Sequence, residues 1–274
     1  MGLRATKRRE RDRLPEAGGG GPLLLCIDTS GARLNVALSR GTELLAFHSA
    51  LHPFSHASAL LPAIDLLLEG QRAGVADLAG LGVCIGPGSF TGLRVGMTTA
   101  KAIGASKNLP AAPVSSTVLL AAGSGASGFV APVVDARRGE VYSSLYRMEP
   151  GAAAATSLSE GGLGPDARGI GPEPQEDPVE VLPPEAGSPE AALHRILEAC
   201  PGPVTLVGSA CVTYEALFRE MGAGRVVLAS RSRCAISPEV LARVCGLRLA
   251  SGSTVAIGQL EPLYVGRPPI HGKQ

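Results

Sequence analysis

The chain has 274 residues, 25 Lys+Arg against 24 Asp+Glu for a net charge of +1, and is 45% hydrophobic with no Trp. This near-neutral balance excludes the basic footprint of a protein that coats nucleic acid, and the longest apolar runs fall far short of the ~20 residues of a membrane span. The six cysteines, scattered mostly through apolar stretches without a C-x-x-C pair, fit neither zinc spacing nor a disulfide framework and read as buried free thiols of a reducing, cytoplasmic compartment.

In chain order, residues 1–21 begin with a basic stretch (Arg4, Lys7, Arg8, Arg9, Arg11, Arg13) and end in a Gly-rich spacer. Without an apolar core segment it is no secretory signal, and it reads as a solvated tail whose removal is expected to leave thermal stability nearly unchanged. Folded structure is expected from Leu23. LLLCID is a buried strand ending in the turn Asp28-Thr29-Ser30, and Leu34–Ser39 and Glu43–Ser49 complete an antiparallel meander. A helix follows, with apolar residues at Ala57, Leu60, Leu61, Ile64, Leu67 and Leu68 at helical spacing, and Pro62 predicts a kink inside it.

Residues 81–109 hold the most distinctive stretch. Leu81–Ile85 reads as a short buried strand, broken by Gly86-Pro87-Gly88. Ser89 or Thr91 can cap the helix that follows, and Gly92, Gly96, Ala100 and Gly104 leave one of its faces almost bare. Tight packing on its own sheet and close approach of another helix both account for such a face. The P-loop spacing fails, because Gly92 is followed by Leu93-Arg94, and the dinucleotide fingerprint fails at Thr91. What remains is a helix N-terminus with the generic ability to hold an anion. Pro113–Ala122 follows, with Ser115 or Ser116 as a helix cap, and completes a unit of order βββαβα.

The second half restarts in the same way. Phe129–Asp135 is a buried strand ending in Asp, followed by a turn and the strand Glu140–Arg147, so Asp28 and Asp135 occupy equivalent hairpin ends. Residues 148–190, with nine acidic residues, one Arg and many Pro and Gly, read as an insertion outside the packed fold. A helix near Pro189–Ala199, a strand at Val204–Val207, Gly208, a helix over Val212–Met221, a strand at Arg225–Leu228 and a helix at Pro238–Ser251 follow. The predicted fold is α/β, a duplicated ribonuclease-H-like fold of the actin, heat-shock ATPase and sugar-kinase type with two βββαβα lobes. The lobes are expected at 22–125 and 126–265, with a flexible tail at 266–274.

Six motifs together resemble the bacterial TsaB subunits of the TsaD/TsaB (Gcp-like) family: IDTS at 27–30, HASALLPAI at 56–64, GPGSFTGLRVG at 86–96, PVSS at 113–116, DARRGEVY at 135–142 and EPLY at 261–264. The resemblance implies a non-catalytic partner that binds and activates the TsaD transferase in making N6-threonylcarbamoyladenosine beside the tRNA anticodon. It also implies a TsaE-type ATPase as third partner, ATP and metal held by the partner subunits, and contact with tRNA only through the complex. In the catalytic relative a metal-binding His pair follows the Gly-Pro-Gly loop, whereas Ser89–Leu193 contains no His here. His48, His52 and His56 share a four-residue spacing, yet Pro53 interrupts any common helix. The alternative function is an ATP-binding kinase or ATPase, with Asp28, Thr29, Ser30, Asp135 and Gly208 as weak nucleotide-site candidates. Read as turn residues, the two aspartates need no ligand.

The partner surface is expected on the two helices that, in the family, resemble those packing against TsaD in a four-helix bundle. Leu60, Leu61, Ile64, Leu67 and Leu68 provide its apolar content, and Gly96 and Ala100 a close approach beside Val95. Arg94, Thr98 and Lys101 would form a polar rim. A homodimer through the same surface is expected to compete. The other reading of these leucines is core.

Overall fold

The computed structural model describes residues 21–51, 56–149, 178–222 and 224–265. Two sheets organise them. In the first, β1 (Leu23–Asp28) pairs antiparallel with β2 (Arg33–Arg40), which pairs with β3 (Glu43–Leu51). After α1 (His56–Gly70), β4 (Gly80–Gly86) joins parallel to β1, and after α2 (Phe90–Ala105), β5 (Pro110–Ser115) joins parallel to β4. The short α3 (Ser116–Ala122) ends this half.

The second sheet repeats the design. β6 (Gly128–Arg137), β7 (Glu140–Met148) and β8 (Val179–Gly187) form the antiparallel meander. Then α4 (Pro189–Ala199) leads to β9 (Val204–Val207), parallel to β6. The helices α5 (Ala210–Thr213) and α6 (Glu215–Met221) precede β10 (Val226–Leu228), parallel to β9. Orders β3-β2-β1-β4-β5 and β8-β7-β6-β9-β10 match in pairing and sense, which is the duplicated ribonuclease-H-like fold.

Alternation along the buried strands separates the core into layers. Leu23, Leu25 and Ile27 of β1 join α1 and α2 on one face of the first sheet. Leu24 and Cys26 point the other way, into a layer between the sheets built from α3 and α7 (Pro238–Ala250). A third cluster, with α4 to α6, covers the far face of the second sheet.

This layering corrects the expected lobe boundaries. Helix α7 packs across β1 to β5, and β11 (Val255–Ala256) pairs with β5, so the chain after 238 returns to the first sheet instead of staying with a 126–265 lobe. Residue 190 is likewise the wrong end for the acidic insertion, because Val179–Gly187 is the edge strand β8. Its Pro183, Pro184, Glu180 and Glu185 obscure the strand pattern, yet an edge tolerates Pro and charge where a central strand does not. Residues 150–177, and the tail expectations for 1–20 and 266–274, lie outside the described residues. The single helix expected over Val212–Met221 is divided at Tyr214. Among the described residues no helix is long and apolar enough to cross a membrane.

Helix α1 buries Leu60, Ala63, Ile64, Leu67 and Leu68 and runs on through Pro62, which lies on the exposed side. Truncating one of the buried residues removes apolar contact and leaves a cavity. Ile64→Ala is therefore expected to lower unfolding free energy by about 2–5 kcal/mol, readable by urea denaturation.

Candidate partner-binding groove and the cleft turns

The turn after β1 decides how α2 is seated. Asp28 is buried, and its Oδ1 accepts the Ser30 N–H (2.9 Å) and the Ser30 hydroxyl (2.6 Å). Its Oδ2 accepts from Asn35 Nδ2 at 3.0 Å, and the same nitrogen reaches the Ile236 carbonyl. Thr29 Oγ1 donates to the Gly92 carbonyl at 2.8 Å, and the Ser30 carbonyl accepts the Ser89 N–H at 2.7 Å. Ser89 caps α2 by accepting from Gly92 N–H, so this N-terminus already spends donors internally. His56 Nε2 lies 2.9 Å from the Gly31 carbonyl.

The small face of α2 follows from this seating. A Cβ on Gly92 would lie 2.1 Å from the Thr29 carbonyl oxygen, and one on Gly96 would lie 2.3 Å from Thr29 Oγ1. Farther along, a Cβ on Gly104 would meet Ile257, and Ala100 is fully buried. The stripe therefore accommodates the Asp-Thr-Ser turn and the C-terminal segment of the same chain.

The second hairpin repeats the turn chemistry. Asp135 Oδ1 accepts the Arg137 N–H at 2.7 Å, as Asp28 does two residues before Ser30, and its own N–H donates to Ser209 Oγ at 2.9 Å. Gly208 has φ +118°, and a Cβ there would lie 2.5 Å from the Val133 carbonyl oxygen, so the chain crosses β6 too closely for a side chain. Ser115 caps α3, and the Ser116 hydroxyl donates to the Pro87 carbonyl at 2.6 Å. Thr117 Oγ1 meets the Tyr146 hydroxyl at 2.9 Å, joining the halves, and burial pushes the Tyr146 phenol up. Of the three spaced histidines, His48 lies on β3 and His56 opens α1, while His52 is outside the described residues.

The expected interface divides. Leu60, Ile64, Leu67 and Leu68 are core, because all four point to the sheet side of α1. Gly96 and Ala100 face inward for the reason given above, and Lys101 Nζ turns to the Gly258 carbonyl at 3.4 Å. The six buried positions, Leu60, Ile64, Leu67, Leu68, Gly96 and Ala100, are corrections to the surface read from sequence. Leu61, 53% exposed, stays at the surface with Arg94 and Thr98, and Val95 is half-buried beside them. Together with Ala57, Phe90, Thr91 and Thr99 they line an open groove of about 440 Å³ between α1 and α2.

Phe90, 51% exposed, anchors this groove. Its ring lies 5.5 Å from that of Tyr264 and 5.4 Å below the Arg94 guanidinium, a cation–π arrangement. The Leu263 N–H bonds the Ile85 carbonyl at 2.8 Å, which fixes the neighbouring Tyr264. Phe90 and Tyr264 were not legible as site residues from the motifs alone. Phe90 does share the exposed stripe of Arg94 and Thr98 at four-residue spacing, and that signal could have found it.

Comparison with known proteins gives a consistent set of likenesses. Residues 53–156 match the family TsaD: tRNA N6-adenosine threonylcarbamoyltransferase. The tRNA threonylcarbamoyladenosine biosynthesis protein TsaB of Bacillus subtilis is 39% identical over 129 residues, covering 47% of this chain and 56% of that protein. TsaB of Escherichia coli is 29% identical over 250 residues, covering 88% and 94% respectively. The solved structure of YeaZ from Pseudomonas aeruginosa superposes with a TM-score of 0.69 at 23% identity, covering 89% of this chain and all of that one, which shows the shared fold.

Proposed function

Proceeding from this chain's relationship to the bacterial TsaB proteins, we propose that it takes part in tRNA threonylcarbamoyladenosine biosynthesis as a non-catalytic subunit. In this reading it works in the cytoplasm, binding and activating a TsaD-type transferase through the α1–α2 groove. A TsaE-type ATPase completes the assembly, and ATP, metal and tRNA are handled by the complex. In the absence of the transferase, a second copy of the chain uses the same groove and forms a competing homodimer.

The observation that carries the proposal is the contrast between the two faces of α2. Its inward face is filled by the Asp-Thr-Ser turn, whose carboxylate is engaged by Ser30 and Asn35. Its outward face presents Phe90, Arg94 and Val95 beside Leu61, the aromatic, Arg and aliphatic mixture on which interface energy concentrates. The chain alone is expected to turn over no ATP and modify no tRNA, and to restore threonylcarbamoyladenosine formation when added to TsaD- and TsaE-type partners. Hydrolysis of ATP by the isolated chain, lost in Asp28→Asn and retained in Leu61→Arg, would replace the proposal with the kinase-like alternative.

A further inference from the structure

The far lobe carries a pair of thiols that the partner-binding reading does not use. Cys211, on α5, is buried, and Cys234, on the one-turn helix Arg231–Cys234, is half-buried. Both line one cavity of about 210 Å³, walled by Glu215 and Arg219 of α6, Leu228 of β10 and Arg231. The two helices that carry them pack against each other, and the Cys234 sulfur lies 3.8 Å from the Ala229 carbonyl. Glu215 bridges both Arg219 and Arg231, each at 3.1–3.5 Å, so these three charged walls sum to a net positive charge. The other four cysteines are at most 2% exposed.

We propose that Cys234 and Cys211 are a redox-active dithiol that reacts with a small hydroperoxide. The Cys234 thiolate attacks the terminal oxygen, the O–O bond breaks, and the departing alkoxide or hydroxide takes a proton to leave as alcohol or water. Cys211 then attacks the resulting Cys234 sulfenic acid. The S–S bond forms as the S–O bond breaks, the thiol proton leaves with the hydroxyl as water, and the peroxide has taken two electrons from the two sulfurs.

The roles follow from the environment. The hydrogen bond from Cys211, reinforced by one from the Gly208 backbone, holds the Cys234 thiol at about 6 against the opposing effect of burial. The same bond and burial push Cys211 far up. Near neutral pH the half-buried Cys234 sulfur is therefore the nucleophile and the buried Cys211 a protonated resolving thiol. Burial instead pushes Cys84 up, and Cys245 is raised first by its hydrogen bond to Cys26 and then by burial.

The test treats the reduced full-length chain at pH 7 with one equivalent of hydrogen peroxide, blocks remaining thiols with N-ethylmaleimide and maps the peptides. Expected is a loss of two free thiols with a bridge between Cys211 and Cys234, fragment ions separating Cys211 from Cys200 on the shared tryptic peptide. Cys211→Ser should stop at a sulfenic acid on Cys234, trapped by dimedone. In the unoxidised wild-type chain, iodoacetamide should label Cys234 about 10-fold faster than the other cysteines at pH 6.5. A bridge elsewhere, oxidation spread over several cysteines, or Cys234 labelling no faster than Cys200 would overturn the proposal.

Discussion

Gly92→Ala should cost about 2 kcal/mol or more of stability, lowering the melting temperature by roughly 5 °C or more in a calorimetric scan. Two effects oppose each other. An alanine inside a helix gains up to about 1 kcal/mol over glycine. Against this, the new methyl would sit 2.1 Å from the Thr29 carbonyl oxygen, and that atom belongs to backbone already fixed by β1 and by the Asp28 turn. Relief requires α2 to lift from the turn, weakening the bonds from Thr29 Oγ1 to the Gly92 carbonyl and from Ser89 N–H to the Ser30 carbonyl. Overlap wins. Gly70→Ala is the control: it closes α1, has no heavy atom within 4 Å of the added carbon and no positive φ, so it should be neutral or slightly stabilising. Equal melting temperatures for the two variants would mean that α2 is not seated as described.

Leu61→Arg should fold normally and weaken binding of a TsaD-type partner about 30-fold or more, the scale of a hot-spot residue. The side chain is half-exposed and borders the groove, so the free chain tolerates a charge there. In the complex the guanidinium would enter a dry apolar contact beside another cation, Arg94. Phe90→Ala should act in the same direction by removing the aromatic surface shared with Tyr264 and Arg94. Isothermal titration calorimetry measures both. Val227→Arg, on an exposed position of the edge strand β10, should bind like the unsubstituted chain.

The strands and helices whose apolar spacing is strong were legible in the sequence, and so was the duplication, because LLLCID and FVAPVVD each end in an aspartate that caps its turn. Three features were not. Strand β8 carries Pro and Glu on an edge, where burial imposes no alternation. Strand β11 is two residues long, too short to show a period. The third is the split of the α1 leucines. Leu60 and Leu61 are chemically identical neighbours, and only the direction of the sheet, about 100° around a helix from one to the next, decides that one is core and the other surface. The small stripe on α2 had the same ambiguity. Its partner is the turn at residues 28–30, distant in sequence, so spacing along the helix alone left both readings open.

The central claim, that the outward face of α1 and α2 receives the partner, is tested most directly by hydrogen exchange of the full chain with and without its TsaD-type partner. New protection is expected to concentrate over residues 57–66 and 90–99 on complex formation, and to be absent when Leu61→Arg is used at the same concentrations. Protection confined instead to the edge strand β3, where Phe47 and Leu51 are exposed, or to the hairpin at 135–142, with α1 and α2 unchanged, would contradict it.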